Sequence, residues 1–338
     1  MIISENFSLK QYNTFGFDVK TELFIEIETE NDVLELYKSN LLNNRKFIII
    51  GGSSNILFTD NFPGIVVYVN NKGVNIDLHE ENFVHISANA GEVWSDFVDK
   101  MVDENFGGAE NLSLIPGFCG SSAVQNIGAY GVEVCDIIES VRYFNLENGC
   151  FETILAADCK FGYRDSIFKH GLKNRAIITS VTYRLTKNHK IINSYSALNQ
   201  ELIRNNIINP TIKDISETIK GIRNSKLPDV TKIGNAGSFF KNPYISIDEF
   251  NVLKEKYPQL TAYKIDENTM KLAAGQLIEL CGWKGKRIGN VGVHELQALV
   301  LVNYGNGTGK DIVSLSNSII ADVRNKFNVT LVPEVIFI

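Results

Sequence analysis

Residues Asn111 to Gly131 read NLSLIPGFCGSSAVQNIGAYG. The stretch holds four glycines, three serines, a Gln-Asn pair and one proline, and it carries no charge. A solvated loop of this length normally carries charged side chains, so a neutral one points to burial or to a ligand. Glycine lets a backbone approach a ligand closely and adopt positive φ. Serine hydroxyls and consecutive amide N–H groups can then hold phosphate oxygens without a lysine. Composition alone also allows a plain glycine-rich turn between packed elements.

Upstream, Phe47-Ile48-Ile49-Ile50 is a strand that runs straight into Gly51-Gly52-Ser53-Ser54-Asn55, and the apolar Ile56-Leu57-Phe58 follows. Strand, Gly/Ser turn and second apolar run suit a pyrophosphate contact. They do not make a Rossmann fingerprint, because no GxGxxG opens a helix.

Further out, LFIEIE at Leu23–Glu28 alternates as a half-buried strand does, and Thr29-x-x-Asp32 reads as a capping box for a helix to about Tyr37. Strands are expected at 65–69, 84–90, 141–145, 150–155 and 176–185, with a helix over 91–103. After a polar stretch at 205–211, helices are expected over 215–222, from Ser246 to before Pro258, over Met270–Cys281, and over 311–326. Strands are expected at 298–302, 329–332 and 335–338. Strands with interspersed helices make an α+β chain.

The chain has 338 residues, enough for about two domains. Its 44% hydrophobic and 21% charged residues are ordinary for a globular protein. The net charge of −6 and the lack of a basic run argue against nucleic-acid binding, which needs clustered Lys and Arg. Five scattered cysteines, none in a CxxC pair, read as free thiols. No charged-then-apolar leader and no membrane-length apolar run is seen, so a cytoplasmic protein is expected.

Gly305-Asn-Gly-Thr-Gly-Lys310-Asp311 has a superficial likeness to a P-loop, but Tyr304 stands where its first glycine belongs and Asp311 where its Ser/Thr belongs. It reads as a loop capping the next helix. The five histidines form no i, i+4 pair, so no metal is expected. Arg164 lies in FGYRDS, where a planar, permanently charged fork suits a carboxylate, or a surface ion pair with Asp165. Ser238 lies in NAGSFFKNP among small and aromatic residues, without the GxSxG elbow of a serine hydrolase. Glu334 sits between apolar runs at the C-terminus, as an edge residue or as a functional acid.

Taken in order, NTFG at 13–16, GGSSN, IPG, QNIGAYG, FGYRDSIFK, KLPD, NAGSFFKNP, KLAAG, QALVL and the final PEV resemble the UDP-N-acetylmuramate dehydrogenase (UDP-N-acetylenolpyruvoylglucosamine reductase, MurB) family along nearly the whole chain. FGYRDSIFK with NAGSFFKNP and a later Tyr263 segment is similar to its longer, type I form. The resemblance implies a two-subdomain FAD-binding region of the vanillyl-alcohol-oxidase (PCMH) type and a smaller substrate domain. The boundaries it implies are 1–71 with 328–338, then 72–227, then 228–327. It also implies non-covalent FAD, NADPH as reductant, UDP-N-acetylenolpyruvoylglucosamine as substrate, and a monomer with neither nucleic acid nor membrane as partner.

By the same resemblance, FAD contacts fall to Gly51, Gly52, Ser53, Ser54 and Asn55, to Ile115, Pro116, Gly117, Gly120, Ser121 and Ser122, and to Gln125, Asn126, Gly128, Ala129, Tyr130 and Gly131. Arg164 matches the arginine that stabilises the enol-like intermediate, Glu334 the glutamate that assists it, and Ser238 the serine that protonates C2. Tyr195, Lys226, Asn242, Tyr263 and Gln297 match positions that hold the diphosphate. The chain departs from the pattern at Ser53, in place of a glycine, at Ala123, in place of a proline, and at Ile336, in place of an arginine. A catalytically silent flavin or nucleotide-sugar binder is the alternative, and retention of Arg164, Ser238 and Glu334 argues against it. A flavin oxidase of the wider fold group is disfavoured, since no histidine for covalent attachment lies in either glycine-rich loop.

Overall fold

Thr29 Oγ1 accepts from Asp32 N at 3.1 Å while the Asp32 carboxylate accepts from Thr29 N at 3.0 Å, and this reciprocal cap starts the helix Glu30–Lys38. The same device starts Ile247–Lys256 at Ser246 and Gly309–Phe327 at Thr308. Thr308 and Asp311 of the P-loop-like stretch are therefore a helix cap, as its sequence suggests. The computed structural model describes residues 1–338, which divide into two units.

The first unit comprises Met1–Phe7, Thr21–Gly52 and Pro63–Ser225. One sheet runs in the order Ile2–Ser8, Lys20–Ile27, Phe62–Val69, Phe47–Ile50. Phe47–Ile50 and Phe62–Val69 pair in parallel, with Phe47 opposite Ile65. Ile65, Val66 and Val67 are all fully buried, which is why this strand is an unbroken apolar run rather than an alternation. The second sheet is antiparallel, in the order Cys150–Leu155, Ile138–Asn145, Ala176–Thr186, Phe83–Asn89, Val74–His79. The helix Trp94–Asp103 turns Trp94, Phe97, Val98 and Met101 into the core, at spacings of three and four. Leu198, Leu202, Ile215, Ile219 and Ile222 join the helices Ser196–Arg204 and Ile212–Lys226.

The second unit comprises Ser8–Lys20, Ser53–Phe62 and Lys226–Ile338. Its larger sheet runs Gly234–Ser238, Val300–Asn303, Val291–Val293, Arg287–Ile288. A three-stranded sheet, Tyr244–Ser246, Thr269–Leu272, Ala262–Lys264, lies in the same unit. The helix Gly309–Phe327 buries Ile312, Leu315, Ile319, Val323 and Phe327 in this unit's core. The C-terminal Ile336–Phe337 pairs in parallel with Ile56–Leu57.

Two expectations from the sequence are corrected here. Met270–Cys281 is not one helix, because Thr269–Leu272 is a strand and the helix is only Ala274–Leu280. Met270 and Leu272 are buried and their neighbours less so, a period of two hidden at the head of a helical pattern. Residues 329–332 form no strand of their own; there Lys241 N donates to Val332 O at 2.9 Å.

Candidate active site

Gly51 and Gly52 end the first unit's share of the GGSSN turn. A Cβ placed on Gly52 would stand 2.9 Å from the Cα of Gly117 and 3.2 Å from Phe118 Cδ1, closer than side chains pack. The two glycine-rich loops singled out in the sequence are thus in contact, and only glycine allows the approach. Glu92 O accepts from Cys119 N at 2.8 Å, and Ala90 O from Gly120 N at 2.9 Å. Two amides of the second loop are therefore already engaged inside the fold. A Cβ on Gly120 would meet that of Ala90 at 2.6 Å, so this glycine serves close packing. Cys119 is fully buried, and burial pushes its thiol far above the ordinary thiol range.

Beyond the helix Cys119–Gln125 the chain turns at Asn126, with φ +42°. Asn126 is fully buried; its Nδ2 donates to Gly162 O at 2.9 Å and to Glu133 Oε2 at 2.8 Å. Ser166 Oγ donates to Val124 O at 2.8 Å. These bonds tie the FGYRDS turn to QNIGAYG. Arg164, itself at φ +54°, donates from Nη1 to Asn126 O at 3.1 Å and from Nη2 to Gly128 O, with Glu133 3.8 Å away. Asp165, the surface partner considered for it, faces His170 at 2.8 Å.

Gln125 is buried and its Nε2 has no partner in the protein. A sealed donor without an acceptor costs about 1–3 kcal/mol, so this amide suits a ligand acceptor brought against it. With the neutral, close-packed loops around Gly52 and Gly117, this fits a flavin dinucleotide.

In the second unit, the strand Gly234–Ser238 slips register between Asn235 and Ser238, around Gly237 at φ +65°. The slip leaves Ser238 exposed while Phe239 and Phe240 are both buried. Phe239 O accepts from Glu334 N at 2.8 Å, and Phe240 bridges Pro333. Asn55 Nδ2 donates to Glu334 O at 3.2 Å, and Asn55 O accepts from Ile336 N at 3.0 Å. Ser238, Glu334 and Asn55 are so gathered from three distant parts of the chain. Ser53 is buried with φ +49°, the left-handed region that a glycine would occupy without cost.

Of the expected diphosphate residues, Tyr195 lies in the first unit, packed edge-to-face on Tyr130 with ring centres 5.3 Å apart. The others lie in the second unit. Asn242 Oδ1 accepts from Ala274 N at 3.0 Å, and Gln297 Oε1 would touch a Cβ on Gly275 at 3.3 Å, so both flank the start of Ala274–Leu280. Lys226 and Tyr263 are exposed.

Sequence reasoning missed Arg223 and Lys169. Arg223 Nε is sealed and unpartnered, and burial lowers its pKa against the pull of Tyr130, whose own pKa burial raises. Its position three residues before Lys226 on one helix was the available signal. Lys169 donates to Gln125 Oε1 and Arg164 O, contacts that its place in FGYRDSIFK does not announce.

The chain matches two family models: an FAD binding domain over residues 21–154, and the UDP-N-acetylenolpyruvoylglucosamine reductase C-terminal domain over 229–338. It is 46% identical to the UDP-N-acetylenolpyruvoylglucosamine reductase of Flavobacterium johnsoniae, covering 99% of both chains. It is 43% identical to that of Porphyromonas gingivalis, covering both chains fully. The crystal structure of UDP-N-acetylenolpyruvylglucosamine reductase (MurB) from Thermus caldophilus shares the fold, with a TM-score of 0.68 at 21% identity over 99% of this chain and 98% of that one. An FAD-binding domain of the PCMH type followed by a reductase C-terminal domain, matched end to end by curated relatives, makes this chain a member of the UDP-N-acetylenolpyruvoylglucosamine reductase family.

Proposed function

We propose that this chain reduces the enolpyruvyl group of UDP-N-acetylenolpyruvoylglucosamine to give UDP-N-acetylmuramate, a peptidoglycan precursor, with Arg164, Ser238 and Glu334 as the acting side chains. FAD, bound non-covalently, supplies hydride chemistry between NADPH and the enolpyruvyl C3. Gly51–Asn55, Ile115–Gly117, Gly120–Ser122, Gln125, Asn126 and Gly128–Gly131 would hold the dinucleotide, with the buried Nε2 of Gln125 as a donor to it.

Hydride arriving at C3 drives negative charge onto the substrate carboxylate. Arg164, held by the carbonyls of Asn126 and Gly128, keeps a permanent cation in a fixed orientation for that charge. Fixed donors of this kind contribute about 3–4 kcal/mol to a transition state. Glu334 assists the same intermediate by hydrogen bonding. Ser238 gives its proton to C2; a hydroxyl is a weak acid and suits a strongly basic carbon in a dry setting. Tyr195, Lys226, Asn242, Tyr263 and Gln297 take the diphosphate, one cation among neutral donors.

One observation carries this reading: Glu334 N is bonded to Phe239 O, which sets the glutamate beside the serine segment from which it is far removed in sequence. The FAD-binding region is assigned to 1–71, 328–338 and 72–227, and substrate binding to 228–327. No helix is long and apolar enough to cross a membrane, and the working protein is assigned as a cytoplasmic monomer. The test is direct. Purified protein must carry releasable FAD and must convert UDP-N-acetylenolpyruvoylglucosamine with consumption of NADPH; colourless protein that FAD does not restore refutes the assignment.

A further inference from the structure

Lys169 ends the short turn Ile167–Lys169 that follows the FGYRDS segment, and its ammonium is partly buried. Nζ donates to Gln125 Oε1 at 3.2 Å and to Arg164 O at 2.9 Å. An ammonium has only donors, so it can face only the oxygen end of the Gln125 amide. The amide orientation is thereby set: Oε1 is spent on Lys169, and both Nε2 hydrogens are left for another acceptor. Nε2 is sealed from solvent and no protein group accepts from it. A neutral residue at 169 would remove what decides between the two orientations of the amide.

The second bond acts on Arg164. Its φ of +54° is unfavourable for a residue with a Cβ, and its carbonyl accepts from a charged donor. Ser166 Oγ, bonded to Val124 O at 2.8 Å, holds the same turn from the other side. One lysine thus joins Gln125, at the end of the helix Cys119–Gln125, to the backbone that carries the arginine.

We propose that Lys169 is a positioning residue for the reductase, locking the Gln125 amide with Nε2 presented to bound flavin and fixing the left-handed turn that carries Arg164. The inference rests on the assignment of FAD to these loops.

The test compares wild type, Lys169→Met, Gln125→Leu, the double variant and Lys169→Arg, each stripped of flavin and titrated with FAD. Dissociation constants, visible spectra of the bound flavin and thermal midpoints are read together. The expected result is about tenfold weaker FAD binding and a shifted flavin spectrum in each single variant. The double variant is expected to lose no more than either single one, because both act through one amide. Lys169→Arg, which keeps a charged donor, restores the spectrum. An unchanged spectrum and affinity in Lys169→Met, or losses that add in the double variant, overturn the inference. If Lys169→Met does not fold, Lys169→Gln, whose amide can present either its donor or its acceptor end and so no longer dictates the Gln125 orientation, carries the same comparison. A wild type that binds no FAD refutes the flavin assignment instead, so the two failures are distinct.

Discussion

Gly52 and Gly117 meet backbone to backbone: a Cβ on Gly52 would lie 2.9 Å from the Gly117 Cα, which cannot move aside as a side-chain tip can. On Gly51 the nearest atom is Phe118 Cδ2 at 3.3 Å, part of a ring able to yield. Gly52→Ala is therefore expected to cost about 1–3 kcal/mol and to weaken FAD retention, with Gly51→Ala much milder. Flavin fluorescence released on heating measures both. Equal effects would contradict the account.

Ser53 is a serine held where the backbone favours glycine. Ser53→Gly is expected to raise stability by up to about 1 kcal/mol, the left-handed cost being partly offset by a more flexible unfolded chain. A denaturant midpoint reads this. A loss of similar size would mean that the hydroxyl's contacts outweigh the strain.

Arg164 Nη1 lies 2.9 Å from where a Cβ on Gly128 would stand. Gly128→Ala should push first on the guanidinium, and it also presses on Glu133 Cγ and Val132 O, each 3.0 Å from the added carbon. The expected signature, read on protein saturated with FAD because Gly128 also belongs to the flavin loop, is a fall in kcat of about tenfold or more that falls mainly on reoxidation by substrate. Single-turnover absorbance separates the two steps, and loss of the NADPH step would contradict the role given to Arg164.

Glu30, at the start of its helix, accepts from Arg142 Nε at 2.7 Å and from Thr179 Oγ1 at 2.9 Å. The Arg142 hydrogen bonds are the main reason that its pKa lies below the ordinary 4.5. A depressed carboxylate stabilises the fold above its unfolded pKa, and that share is lost as pH falls through the folded value. Half-exposed, the pair contributes about 1 kcal/mol. Glu30→Gln should lower the urea midpoint near pH 7, and the gap should close as pH falls from the unfolded value of about 4.3 through the lower folded one. A constant difference across that range would contradict the assignment.

Much of the fold was legible because its signals are local. Thr29, Ser246 and Thr308 each begin a helix through a carboxylate three residues on. The β-branched runs at 47–50 and 65–69 became strands. Thr269–Leu272 was misread because two buried alternating residues beside a true helix mimic one more helical turn. The site residues are proposed through resemblance alone, whereas the groups that support them carry no such signal. The Lys169–Gln125 bond, the left-handed Arg164 and the sealed Arg223 Nε depend on pairings between segments, which no single window of sequence contains.

The central claim is that Ser238 acts only in the second half of the reaction, as proton donor to C2. Ser238→Ala, mixed without oxygen first with NADPH and then with UDP-N-acetylenolpyruvoylglucosamine, tests it in one absorbance trace. The account predicts flavin bleaching at the wild-type rate, followed by reoxidation slowed by about a hundredfold or more. Bleaching that fails while reoxidation of chemically reduced protein stays normal would contradict it.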